Sequence, residues 1–229
     1  MKVILPAVSL FLFSGLLFSA DNKAENILLH QRDNGGWPKN YDQDRKLTGA
    51  EKQKLQSEKK KNDTTFDNGA THAEVRYLTN AFKSTGDKRY KKAFLEGIEF
   101  MLDAQYNNGG WPQCHPHPKG YSAHITFNDG AMIGVISTLR DISRDRKAFP
   151  FVNDELRKRC GKAVGKGILC ILKCQIVVKE KRTAWCAQHD EKTLVPRGAR
   201  SYELPSISGS ESVGVVRFLM EIEKPSPEI

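Results

Sequence analysis

Two short stretches put a carboxylate just ahead of a Gly-Ala step: TFDNGA at 65–70, with Asp67, and FNDGA at 127–131, with Asp129. An aspartate at a helix start accepts the free amide hydrogens of the first turn. Carboxylates from neighbouring loops can also converge on calcium, a hard cation that takes several oxygens. On the residues alone both readings stand. A third candidate is Arg200, in the polar run VPRGARSYELPSISGSES at 195–212, which also holds Arg197, Tyr202, Glu203 and Glu211. Its Pro, Gly and Ser content marks a loop. Arg200 either staples that loop to Glu203 or Glu211, or aims its rigid donor fork at an anionic ligand. Trp37 and Trp111 each follow paired glycines in NGGWP. An indole at a repeated position fills a core or stacks on a sugar ring. His115, His117 and His124 crowd one segment without the spacing of a metal site, and read as a surface loop.

The elements that must position these residues repeat. ILLHQRDNGGWPKN at 27–40 matches MLDAQYNNGGWPQC at 101–114, and AWCAQHDEKTLVPR at 184–197 reads as a decayed third copy. Interleaved with them are TFDNGATHAEVRYL at 65–78, TFNDGAMIGVISTL at 126–139 and SISGSESVGVVRFL at 206–219. Repeats of this kind are stacked units, each unable to bury its apolar face alone. The periodicity is helical: Ala70, Ala73, Tyr77 and Ala81; Phe94, Ile98, Met101 and Leu102; Met132, Val135, Ile136 and Leu139; Leu156, Cys160, Val164, Ile168 and Ile171. Gly35–Gly36 and Gly109–Gly110 are expected to end helices in left-handed caps, with Pro38 and Pro112 preventing resumption. No alternating run is long enough for a sheet. The expected fold is all-α: antiparallel helix pairs around an axis, with the loops of each pair at one end. Residues 44–61 read as a solvated, lysine-rich helix and linker, and 223–229 as coil.

The chain has 229 residues, 36 Lys+Arg against 27 Asp+Glu, and a net charge of +9. Such a charge favours an acidic partner. Lys2, an apolar run at 3–18, and Ser19-Ala20 read as a secretory signal peptide over 1–20, with an uncleaved membrane anchor as the other reading, though the run falls short of the roughly 20 residues a span needs. Export excludes nucleic acid as the favoured partner and points to an extracellular polyanion. It implies a secreted or periplasmic protein with no membrane attachment after cleavage. Five cysteines form at most two bridges and leave one thiol over. Cys170 and Cys174, four apart, read as small buried residues.

NGGWP twice, TFDNGAT, FNDGAM and GARSYELPSISGSES together resemble the catalytic module of polysaccharide lyase family ten, the pectate lyases, over about residues 27–220. The resemblance implies an (α/α) toroid at 21–229 and calcium-dependent β-elimination of polygalacturonate to 4,5-unsaturated products. It makes Asp129 a calcium ligand and places Asp67 at the calcium and substrate site, with Asn68 beside it. Trp111 is then expected to contact substrate, and Arg200 matches the proposed base. Free arginine is a poor base, with a pKa of about 12.5–13.8. Cationic neighbours and desolvation must lower it, which implies an alkaline optimum. The module is expected to be C-terminally shortened, an incomplete barrel with open helix faces. Two other functions compete: a non-catalytic pectate-binding remnant, and a toroidal glycoside hydrolase using two carboxylates.

Overall fold

The structure, a computed structural model, describes residues 21–229. The expected leader at 1–20 lies outside them. Seven α-helices dominate the described residues: α1 (Asn22–His30), α2 (Gly49–Ser57), α3 (His72–Thr85), α4 (Lys88–Asp103), α5 (Ala131–Arg144), α6 (Asp154–Cys174) and α7 (Gly209–Met220). Helix α3 packs on α4, and α5 on α6. Helices α3, α5 and α7 contact in succession as one layer, while α4 and α6 meet in the other. This is the expected all-α toroid. Five strands of two residues each trim the loops: β1 (Ile125–Thr126), β2 (Val177–Val178), β3 (Lys181–Arg182), β4 (Gln188–His189) and β5 (Pro196–Arg197). Strands β1, β4 and β5 form an antiparallel strip, with Thr126 opposite Gln188 and Gln188 opposite Arg197.

Local sequence explains the hairpins. Helix α3 ends at Gly86, whose left-handed φ of 72° closes the helix. Asp87 then caps α4 by accepting from the Arg89 amide at 2.8 Å. Between α5 and α6, Asn153 accepts from Leu156 N at 2.8 Å. The buried Arg157 guanidinium donates to the carbonyls of Ile142 and Phe149 and seals the end of α5. Met132, Val135, Ile136 and Leu139 of α5 are fully buried, as their spacing predicts. In α3 the buried stripe is Val75 and Leu78, with Ala73 exposed and Tyr77 half-buried. Ala70 and Ala81 of the expected stripe are buried, while Ala73 and Tyr77 sit beside the core-facing line.

The tryptophans organise the repeat. Trp37 donates from Nε1 to the Ile27 carbonyl, Trp111 to Met101 and Trp185 to Ile171, each at 2.7 Å. Gln31 donates to the Gly35 and Ala93 carbonyls, and Gln105 to those of Gly109 and Ala163. Gly97 and Gly167 make room for the indoles: a Cβ on either would lie 2.9 Å from Trp37 or Trp111. Two expectations change. The third copy is ILKCQ at 171–175 followed by Trp185, not 184–197, because the β2–β3 hairpin lengthens its turn. The paired glycines do not cap helices, since α1 and α4 already end at His30 and Asp103. Gly35 and Gly109, at φ 90° and 96°, turn the chain tightly against its neighbour. A Cβ there would lie 2.4 Å from the Glu96 carbonyl oxygen and 2.1 Å from that of Lys166.

Helix α2 buries no residue and begins with a Thr48–Glu51 capping box, matching the solvated segment expected. Lys59 departs from it. Its ammonium folds back to donate to the Leu28 and Gln31 carbonyls at 2.7 and 2.8 Å, satisfying the open end of α1. All five cysteines are free, with Cys170 and Cys174 buried. No helix among the described residues is long and apolar enough to cross a membrane.

Candidate functional site

Each repeat loop joins the end of α1, α4 or α6 to the start of α3, α5 or α7, so the three loops gather at one end. Between them lies a cleft of about 690 Å³. It is lined by Lys39, Asp67 and Asn68 from the first loop, Tyr121 and Asp129 from the second, and Arg197 and Arg200 from the third.

Two equivalent turns present the aspartates. Phe66 and Phe127 are buried and pin them to the core. Phe66 N donates to the Gln113 carbonyl at 2.9 Å, and Phe127 N to that of Ala187 at 2.9 Å. The repeat alignment matches Asp67 to Asn128 and Asn68 to Asp129. Asn68 and Asp129 are both left-handed, at φ 51° and 50°, which their short polar side chains tolerate. The aspartates therefore enter the cleft from adjacent, not identical, positions. Neither acts as an N-cap. Helices α3 and α5 start after Thr71 and Gly130, with no side-chain cap at either.

Asp67 is 3% exposed. Its Oδ2 accepts from the Lys39 ammonium, and its buried Oδ1 has no hydrogen-bond partner. Lys39 is held above its ordinary pKa by that bond. Asp129 is exposed, yet partial desolvation and the charge of Asp67 push its carboxyl up. Two carboxylates thus face one ammonium. An orphaned buried oxygen beside a second hard carboxylate fits a calcium ion, with further oxygens to come from water or ligand. Among the described residues no three His, Cys, Asp or Glu side chains form a metal-ligating group. The histidines disperse: His115 packs on Phe100 at 5.2 Å, and His124 Nδ1 meets Glu191 Oε2 at 2.9 Å.

Arg200 lines the cleft, but Glu203 holds it. Its backbone N and Nε donate to Glu203 Oε2 at 3.0 and 2.9 Å, and Nη2 donates to Oε1. Its guanidinium carbon lies 4.9 Å from the Tyr202 ring. The Glu203 carboxylate raises the Arg200 pKa, and Glu203 itself is pushed down to about 2. The loop staple is therefore present, and in this pose the cationic, desolvated surroundings expected of an arginine base are reversed. Arg197 is steadied by Asp190, to which its Nε and Nη2 donate at 3.0 and 2.9 Å.

Trp111 corrects the sugar-stacking expectation. It is 0% exposed and spends its N–H on Met101, so its indole belongs to the core. Trp37 is buried in the same way. The aromatic rings the cleft does expose are Tyr121 and Tyr202, at 40% and 70%. The sequence reading passed over Tyr121 and Lys39. A signal existed for Lys39: it stands two residues after Trp37, where the second copy has Gln113, another cleft residue.

The model of the pectic acid lyase family matches residues 31–229. The chain belongs to that family. The fold of this pectic acid lyase relative is also that of a family 10 polysaccharide lyase from Cellvibrio cellulosa, at 36% identity and a TM-score of 0.79 over 90% of this chain. A mutant of a family 10 lyase from the same organism, in complex with trigalacturonic acid, superposes over 92% of the chain with a TM-score of 0.81 and 36% identity. The chain spans 62% of the length of the first of these neighbours and 63% of that of the second. No curated protein matches.

Proposed function

We propose that the cleft binds polygalacturonate and cleaves it by calcium-dependent β-elimination. The convergence of Asp67 and Asp129 with Lys39, Arg197 and Arg200 on one cleft carries this reading. A linear polyanion needs cationic groups spaced along its path, and the three basic side chains supply them. Asp67 and Asp129 would hold calcium, whose charge, when bound, stabilises the enolate-like state formed beside a uronate carboxylate. Lys39 neutralises the excess negative charge on Asp67 and offers its remaining donors to a uronate. Tyr121 and Tyr202 present ring faces to sugars.

Arg200 is the proposed base for the proton on ring carbon 5. Only neutral guanidine can accept a proton, so Glu203 must first release the side chain. Release from Glu203, with the charge of a bound calcium and the desolvation that a seated substrate brings, would lower its pKa. Departure of the glycosidic oxygen then gives the 4,5-unsaturated end. Export through the leader belongs to the same proposal, since polygalacturonate is extracellular.

The grip of Glu203 on Arg200 favours a second reading, a protein that binds pectate without turnover. A hydrolase would use Asp67 and Asp129 as its acid and its base or nucleophile, and would give no conjugated product. Arg200→Ala separates the readings. It should abolish formation of unsaturated ends while circular dichroism stays native. Near-normal turnover would remove Arg200 as the base, and binding without product in the unaltered protein would leave the second reading.

A further inference from the structure

Glu74 lies in the first turn of α3 and is 3% exposed. Burial raises its pKa. Among the described residues no basic side chain pairs with it. Its Oε1 accepts from Tyr41 Oη at 3.1 Å and from Gln43 Nε2 at 2.8 Å, and Oε2 has no partner. A carboxyl buried without a cation costs stability that a well-packed apolar side chain would not. Both donors sit on the segment that leaves the NGGWP turn and carries Lys39.

The lower end of that segment is fastened again by α1. Asn26 donates to the Gln43 and Arg45 carbonyls at 2.8 and 2.7 Å, and the His30 ring stacks on Tyr41 at 3.8 Å. The upper end meets the cleft: Lys39 donates to Asp67, and Asn68 donates to Asn40 Oδ1 at 3.0 Å. Only Asn40 separates Lys39 from Tyr41, and the two steps of chain reach at most about 7 Å, so a shift at Tyr41 is passed to Lys39. We propose that Glu74 is a positioning residue: by fixing Tyr41 and Gln43 it holds Lys39 against Asp67 at the cleft. The kinetic consequence rests on the pectate reading, whereas the clamp itself does not.

The test combines hydrogen–deuterium exchange of residues 38–48 with steady-state kinetics on polygalacturonate. Glu74→Ala should speed exchange across 38–48 and raise KM about tenfold, the scale of one charge-assisted hydrogen bond, with kcat little changed. Glu74→Gln keeps an acceptor for both donors and should restore both readouts. Lys39→Ala should raise KM similarly while leaving exchange at 41–48 unaltered, which separates contact from positioning. If Glu74→Ala does not fold, Tyr41→Phe removes one donor and should move both readouts the same way by a smaller amount. Unchanged exchange in folded Glu74→Ala, or Glu74→Gln as impaired as Glu74→Ala, would overturn the clamp. An unaltered protein without turnover would sink the pectate reading instead, and exchange would still decide the role of Glu74.

Discussion

Trp111→Phe separates a core indole from a sugar platform. Trp111 is 0% exposed, and its N–H satisfies the Met101 carbonyl at 2.7 Å. Phenylalanine removes that donor and leaves a buried carbonyl unpaired, at about 1–3 kcal/mol. It also vacates the space over Gly167, where a Cβ would lie only 2.9 Å from the indole. Truncating Trp to Ala in a core costs about 3–5 kcal/mol, and the smaller step to Phe adds roughly 1 kcal/mol. The total is about 2–4 kcal/mol, or a fall in Tm of roughly 5–15 °C for a chain of this size. Thermal unfolding by circular dichroism reads this, and calorimetric titration with trigalacturonate reads binding. Stability should fall while affinity holds, whereas Tyr121→Ala should weaken affinity with Tm little changed. A Trp111→Phe protein of normal Tm that has lost affinity would refute the core assignment.

Two further outcomes follow from named contacts. The Glu203 pKa is depressed, so stabilisation of its turn is present above the ordinary 4.5 and lost as pH falls through about 2. A carboxyl NMR titration of Glu203 should have its midpoint near 2, and an ordinary glutamate value would mean that Arg200 is free in solution. Lys59→Met removes the cap on the end of α1 and should destabilise by about 1 kcal/mol in urea unfolding. No change would show those carbonyls satisfied by water.

The helices were legible because their apolar spacing reports packing directly: the Met132–Leu139 stripe of α5 is buried as its period predicts. The aspartates were legible as a pair because they recur before Gly-Ala, but their one-residue offset is invisible until the turns superpose. Other features depend on partners distant in sequence. Gly35 and Gly109 looked like helix caps, yet what demands glycine there is a carbonyl some sixty residues on, at Glu96 or Lys166. The third repeat was misregistered because Gln188 resembles the repeated Gln, whereas Trp185 bonds to Ile171 and sets Gln175 in that place. Lys39 escaped notice because its place in the repeat, matched by Gln113, says nothing about its charge until Asp67 stands opposite it. Glu203 was weighed as a staple for Arg200, but its place at the cleft gives that staple a second consequence: an arginine acting as the proposed base has first to be released from it.

The most direct test is ultraviolet absorbance of polygalacturonate at alkaline pH, with the protein and calcium and then with a chelator. The account predicts a rise from conjugated uronide ends that stops on chelation and resumes when calcium is restored. A folded protein that binds the polymer but gives no rise, or a rise indifferent to chelator, would contradict calcium-dependent elimination at the Asp67–Asp129 cleft.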